Sequence, residues 1–181
     1  LKKEELHAIP YAHESSYVTE AIRFVIPAFG VYENLQVRVT QGEKAFRSLS
    51  PWYRIGSEDN AVQEYFDLYL KPDTVHASFQ EKMLIGFRDR KGRLSAQGGS
   101  WNDSLKMVHG KVRSFGSYAV LIDSTAPVIS PVNISEGKSF AATKYILLNV
   151  SDDLSGILKY DAYIDEQWIL SHYNTKRGRI S

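Results

Sequence analysis

Gly116-Ser117-Tyr118-Ala119-Val120-Leu121-Ile122-Asp123-Ser124-Thr125-Ala126-Pro127-Val128-Ile129 decides how this chain is organised. Tyr118, Val120 and Ile122 alternate with Ala119, Leu121 and Asp123, the two-residue period of a β-strand. The pattern stops in Asp-Ser-Thr-Ala-Pro, and a second apolar run starts at Val128. Proline has no amide hydrogen and holds its predecessor extended. The spacing therefore predicts a strand that closes one module and a short stiff connection, residues 123–127, into another.

The rest of the chain fits that division. Asn34-Leu35-Gln36-Val37-Arg38-Val39-Thr40 alternates strictly, with Leu35, Val37 and Val39 on one face and Gln36, Arg38 and Thr40 on the other. That is a half-buried antiparallel strand. Residues 21–27 read as a strand ended by Pro27, and residues 64–70 as one that turns Phe66, Leu68 and Leu70 inward. Further strands are expected at 82–88, 93–97, 104–108 and 112–115. Gly98-Gly99, Asn102-Asp103 and His109-Gly110 read as turns between them. Residues 41–60 read as polar and irregular, and helix is expected to be scarce.

Beyond the connection, residues 145–150, 158–164 and 167–173 read as strands. Asp152-Asp153-Leu154-Ser155-Gly156 turns between the first two, and Asp165-Glu166 makes a tight hairpin between the others. Ile146, Leu148, Tyr160, Ala162, Ile164, Trp168 and Leu170 are expected to face inward. An immunoglobulin-type sandwich takes about 100 residues, so the second module reads as cut short, with Trp168 expected to be partly uncovered, or else buried by the first module or a neighbouring chain. The expectation is thus an all-β chain of two consecutive β-sandwich, immunoglobulin-like modules. A leader occupies 1–18, the first module 19–122, and an incomplete second module 123–181.

Composition narrows the function. A hydrophobic share of 43% against 24% charged residues suffices for a buried core. The net charge of +1 offers no global field to draw in nucleic acid or an anionic membrane. No cysteine is present, which removes thiolate nucleophiles, disulfides and Cys-ligated zinc together. No apolar run reaches the roughly 18 residues of a membrane span. The first residues, Leu-Lys-Lys-Glu-Glu-Leu, contain neither an initiator Met nor an apolar signal region, so the chain reads as a mature product or an excised fragment.

Laid out in order, these segments resemble a known region. Ile26-Pro27-Ala28-Phe29-Gly30-Val31-Tyr32-Glu33-Asn34-Leu35, Gly98-Gly99-Ser100-Trp101 and Phe115-Gly116-Ser117-Tyr118-Ala119-Val120 are similar to it. So are Asp123-Ser124-Thr125-Ala126-Pro127-Val128-Ile129, Asp152-Asp153-Leu154-Ser155-Gly156-Ile157 and Tyr163-Ile164-Asp165-Glu166-Gln167-Trp168-Ile169-Leu170. Together they resemble the non-catalytic C-terminal region of secreted bacterial lysostaphin-type zinc metallopeptidases, the peptidoglycan-hydrolase class. The stretch Phe29-Gly30-Val31 departs from that pattern, which places its Gly one residue earlier. The resemblance covers the chain from about residue 21 onward.

The resemblance implies an accessory β-sandwich region, outside the cytoplasm in the periplasm or at the cell surface. Its partner would be its own upstream catalytic domain, or cell-wall and other glycan material. The catalytic residues of that class do not carry over. Its zinc site uses a His-x-His pair, and no two of His7, His13, His76, His109 and His172 form one. No Gly-x-Ser-x-Gly elbow, phosphate loop or His-Glu-x-x-His occurs. This chain is therefore expected to be non-catalytic and without a cofactor.

Two binding chemistries come from the residues themselves. Asp152, Asp153 and Asp165 are calcium candidates, because hard cations take clustered carboxylates; capping of turn amides is the plainer use of the same residues. Trp52, Tyr53 and Trp101, with Tyr65 and Tyr69, are candidates for stacking on sugar rings if they line one face. Aromatic residues on strands serve more often as packing partners. A carbohydrate-binding surface protein is the alternative reading.

Overall fold

The computed structural model describes residues 4–45, 47–75, 77–137, 139 and 144–181. The chain divides into two units, Leu1–Ser124 and Thr125–Ser181. In the first unit the strands are β1 (Glu4–Ile9), β2 (Ser15–Val18), β3 (Ile22–Ile26), β4 (Leu35–Gln41), β5 (Tyr53–Ile55) and β6 (Phe66–Leu70). They continue with β7 (Met83–Arg88), β8 (Leu94–Ala96), β9 (Ser100–Asn102), β10 (Met107–Val112) and β11 (Gly116–Ile122). A short 3-10 turn, Ala77–Lys82, precedes β7.

These strands form two antiparallel sheets, one ordered β1-β4-β5-β11-β7-β8 and the other β2-β3-β6-β10-β9. Period-2 alternation aims one face of each sheet at the other. Val37, Val39, Ile55, Ile85, Tyr118 and Val120 from the first sheet share a buried cluster with Phe24, Phe66, Leu68 and Val108 from the second. The unit is a β-sandwich with one continuous core.

Three expectations change here. The leader is part of the sandwich from Glu4 onward: β1 pairs with β4 along its whole length, and β2 pairs with β3. Its pattern looked weak because His7 and Ser15 are polar at inward positions. The sandwich accommodates them by bonding one to the other, His7 Nε2 to Ser15 Oγ at 2.8 Å. The segment 41–60 contains β5, inserted between β4 and β11. His109-Gly110 is no turn but the middle of β10, whose register with β6 runs unbroken from Val108 to Val112. Gly110 serves there as a flat spot, since a Cβ would come within 2.9 Å of Ile85 Cγ1.

In the second unit β12 (Val128–Pro131), β13 (Leu148–Ser151), β16 (Tyr173–Asn174) and β17 (Arg179–Ile180) form a four-stranded sheet ordered β12-β13-β17-β16. The ribbon β14 (Ala162–Ile164) and β15 (Gln167–Ile169) stands as a separate two-stranded sheet. Register places Ile129, Val150, Leu148 and Ile180 on one face of the larger sheet. Val150 and Ile180 are buried, whereas Ile129 is exposed. The expected inward set is corrected at Ile164 and Leu170, which are exposed, Leu170 at 85%, whereas Trp168 is partly uncovered as expected. They lie on or beside the ribbon, which is not hydrogen-bonded to the four-stranded sheet. Alternation defines two faces of a strand but does not say which one is covered.

Candidate binding surfaces

The outward side chains of β4 are Gln36, Arg38 and Thr40, since Val37 and Val39 point into the core. On β5, Tyr53 and Ile55 are buried and Arg54 is exposed, directly across the ladder from Thr40. The chain then turns at Gly56, whose φ is 58° and whose N–H donates to the Arg38 carbonyl at 2.9 Å. A Cβ there would come within 3.2 Å of Val37 and 3.3 Å of Phe115, so glycine is what lets the turn lie close over the sheet. The turn carries Ser57 and Asn60 back over the strands, with the Asn60 N–H donating to the Ser57 carbonyl at 3.0 Å.

The result is a groove of about 430 Å³ lined by Gln36, Arg38, Thr40, Arg54, Ser57 and Asn60 around Gly56. Every side chain on it is polar, and two are guanidinium groups. The Arg54 Nε donates to the Gly56 carbonyl at 3.4 Å. The acidic residues of the turn are held elsewhere: Arg90 bonds to Asp59, and its Nε lies 3.8 Å from Glu58 Oε1. Ser57 Oγ donates to Asp59 Oδ2 at 3.0 Å. These hydrogen bonds, Arg90's first and Ser57's second, hold the Asp59 carboxyl below the usual carboxylate range, with the Arg90 and Arg54 charges adding to them.

On the opposite sheet, Arg23, Tyr69 and His109 form one cross-strand row over β3, β6 and β10. The Tyr69 and His109 rings stack at 4.4 Å, and the Arg23 guanidinium lies 5.5 Å from the Tyr69 ring centre. His109 Nε2 is 2.6 Å from Asp67 Oδ1. The row is half-buried. Another pocket, of about 200 Å³, is lined by Glu5, Tyr17, Glu20, Gln41 and Tyr53 among others. Tyr17 donates its hydroxyl proton to Glu5 Oε2 at 2.6 Å. Burial, and then that carboxylate, push the Tyr17 hydroxyl far above its ordinary range.

The aromatic candidates do not assemble into a sugar platform. Trp52 and Tyr53 are each only 4% exposed. Trp52 lies beneath the Arg88 guanidinium, 4.4 Å from its ring centre, and Tyr53 belongs to the sandwich core. The segment before β5 runs alongside β11: Ser48 bridges to Leu121, the Leu49 N–H donates to the Val120 carbonyl, and Ser50 Oγ accepts from the Val120 N–H. Trp101 is half-buried against the core, with its Nε1 3.3 Å from Asp103. Tyr65 is exposed beneath Arg113.

Among the calcium candidates, Asp152 Oδ1 accepts the N–H groups of Leu154 and Gly156 at 2.9 and 2.8 Å, which is the turn-capping use. Asp152 Oδ2 is buried without a hydrogen-bond partner. Asp153 receives a long contact, 3.5 Å, from Thr125 Oγ1. Asp165 occupies the two-residue hairpin turn with Glu166, both at positive φ, and among the described residues does not join Asp152 and Asp153.

The histidines are dispersed. His7 and His109 bond to Ser15 and Asp67. His172 exchanges backbone bonds with Ser181, and His76 lies outside the described residues. His7 supplies a prediction. Ser15 Oγ donates its only proton to the Ala8 carbonyl at 3.1 Å, so it must accept one from His7 Nε2–H. Burial holds the imidazole below its ordinary value of 6.5. The folded state therefore binds this proton more weakly than the unfolded chain does. Its contribution to stability is complete above about pH 6.5 and is lost as the pH falls toward the folded pKa. His7→Gln keeps an N–H donor for Ser15 but cannot titrate. Urea unfolding across about pH 5–8 is expected to show a shallower acid-side loss in this variant; parallel curves would assign the slope to other groups.

Among the described residues no helix is long and apolar enough to cross a membrane. No curated protein and no solved structure matches the chain. A family profile does, described as a Zu5-like domain, over residues 6–123. The match runs from within β1 to just past the end of β11, the whole sandwich of the first unit. It spans well over half of the 181 residues, and the chain belongs to the Zu5-like domain family.

Proposed function

We propose that this chain is a non-catalytic accessory region of a secreted peptidoglycan-hydrolase-type metallopeptidase, acting outside the cytoplasm. There it binds cell-envelope material and so holds a catalytic domain against its substrate. The ordered motifs shared with the C-terminal region of lysostaphin-type peptidases support the parentage. The observation that carries the binding role is the groove over β4 and β5, an open cleft lined only by hydrogen-bonding side chains. Glycan and peptide backbones are dense in hydroxyl, amide and carboxylate groups, and a cleft of this composition pairs them without requiring an apolar ligand.

The test is sedimentation of the purified chain with isolated peptidoglycan sacculi at low ionic strength. Co-sedimentation without release of muropeptides, with or without added zinc, is the expected result. A chain that stays in the supernatant removes the binding role, and zinc-dependent release abolished by a chelator removes the non-catalytic one.

A further inference from the structure

We infer that Tyr11 and Phe29, at one end of the first unit, form a stacking site for a neutral sugar, separate from the groove over β4 and β5. The register brings the two residues together. Ile9 at the end of β1 pairs with Leu35 at the start of β4, and Ser15 at the start of β2 pairs with Ile26 at the end of β3. The connections 10–14 and 27–34 therefore cross between the sheets side by side. They are tied to each other: the Phe29 N–H donates to the Tyr11 carbonyl at 2.7 Å, and the Tyr11 N–H donates to Asn34 Oδ1 at 2.8 Å. The two rings meet edge to face with centres 5.2 Å apart, and Phe29 is 51% and Tyr11 39% exposed.

Phe29 does not owe its place to the stability of the fold. The Gly30 N–H closes a turn on the Pro27 carbonyl at 2.9 Å, and Phe29 stands at the third position of that turn with φ at 62°. Glycine or asparagine is the ordinary occupant there, because a Cβ crowds the following carbonyl. The glycine of this turn is committed one residue later: a Cβ on Gly30 would lie 2.8 Å from both Ile26 Cγ2 and the Pro27 carbonyl oxygen. Val31 beyond it is fully buried and bridged to Val62, and the Gly30 carbonyl accepts the Gln63 N–H at 2.8 Å. The turn is thus fixed on both sides and carries a large apolar ring at the surface. Backbone strain and an exposed ring both work against stability, and their coincidence points to a ligand.

Size and charge select the ligand. An aromatic side chain offers roughly 150–250 Å², so two rings uncovered to this extent present about 200 Å² together. A stable protein interface takes about 800 Å² from each partner, so the pair fits a ligand of one or two rings and not a second chain. The connections 10–14 and 27–34 contain Glu14 and Glu33 and neither Lys nor Arg, which disfavours phosphates and carboxylates. A neutral pyranose meets both conditions. The C–H bonds on one sugar face are weakly positive and pack on the electron-rich face of an aromatic ring. The Tyr11 hydroxyl supplies a donor and an acceptor for the sugar hydroxyls.

The probe is the soluble trisaccharide of N-acetylglucosamine, whose binding is read separately from that of sacculi. Saturation-transfer NMR and titration calorimetry on the full chain are expected to show saturable binding, with saturation of the aromatic protons reaching the C–H protons of one sugar face. Phe29→Asn, which tolerates the positive φ, weakens binding by about fivefold or more, while its urea midpoint stays at the parent value or rises. Tyr11→Ala weakens binding as well, whereas Tyr163→Ala, which removes an exposed ring of the second unit, binds as the parent does. No saturable binding by the parent overturns the inference. So does equal affinity for adenine, which would be indiscriminate ring stacking, tighter binding of N-acetylmuramic acid than of N-acetylglucosamine, or unaltered binding by Phe29→Asn. A lowered midpoint in Phe29→Asn would make the ring a structural residue and overturns it too.

Discussion

Replacing Phe66 by alanine is expected to lower the stability of the first unit by about 3–5 kcal/mol. Phe66 begins β6, which is paired with β3 on one side and β10 on the other. Its side chain is fully buried, with the Phe24 ring 6.3 Å away and the Phe115 ring 5.9 Å away. Two flanking ladders hold the backbone in place, so the strand cannot move in to fill the space the ring leaves. The cost is therefore the lost transfer energy together with a cavity that stays open. A loss of that size is a large share of the roughly 5–15 kcal/mol that stabilises an ordinary domain. The measurement is urea unfolding, in which the midpoint should fall with little change in slope. The neighbouring Tyr65→Ala removes an exposed ring and should shift the midpoint far less. A Phe66→Ala effect below about 1 kcal/mol would place this ring outside the core that the sandwich depends on.

Gly116→Ala is expected to cost about 3 kcal/mol or more, from two sources that act together. Gly116 opens β11 with φ at 148°, a conformation that L side chains rarely adopt. An added Cβ would also lie 2.4 Å from Phe87 Cε2 and 3.1 Å from its Cζ. Phe87 cannot swing aside freely, because its ring packs 5.2 Å from that of Tyr118, whose hydroxyl donates to the Ser114 carbonyl. The comparison is Gly92→Ala, where φ is 79° but an added Cβ would meet nothing within 4 Å. That change carries backbone strain alone, about 1–2 kcal/mol. Thermal or urea unfolding of the two variants separates the terms: similar losses in both would mean that the Phe87 contact adds nothing.

The groove over β4 and β5 was legible only in half. Gln36, Arg38 and Thr40 were readable as the outward face of a strand, because Leu35, Val37 and Val39 alternate with them. The other half, Arg54, Ser57 and Asn60, sits in a segment that reads as irregular. Its strand, β5, is three residues long, too short for a period to show. Pairing with β4 and β11 makes it a strand, and both ladders are long-range. Trp52 and Tyr53 looked like surface residues for the same reason, since nothing local announces that residues 48–50 bond alongside β11.

What the sequence by itself determined is the class of the structure and much of its facing. Alternation in β4 and β6 needs only a backbone of period two and one buried side, so those strands and their inward residues were readable in isolation. The break at 123–127 was readable because proline acts on its immediate neighbour. Tertiary structure decided the rest. It made β1 and β2 core strands by joining His7 to Ser15, carried β10 through His109 and Gly110 because Ile85 needs the space, and left Trp168 and Leu170 exposed on and beside a ribbon that, among the described residues, no other strand of the second unit pairs with. In each case the deciding contact joins residues far apart in the chain or on different strands. A local pattern reports how a side chain alternates with its neighbours, whereas burial depends on what comes to lie opposite it.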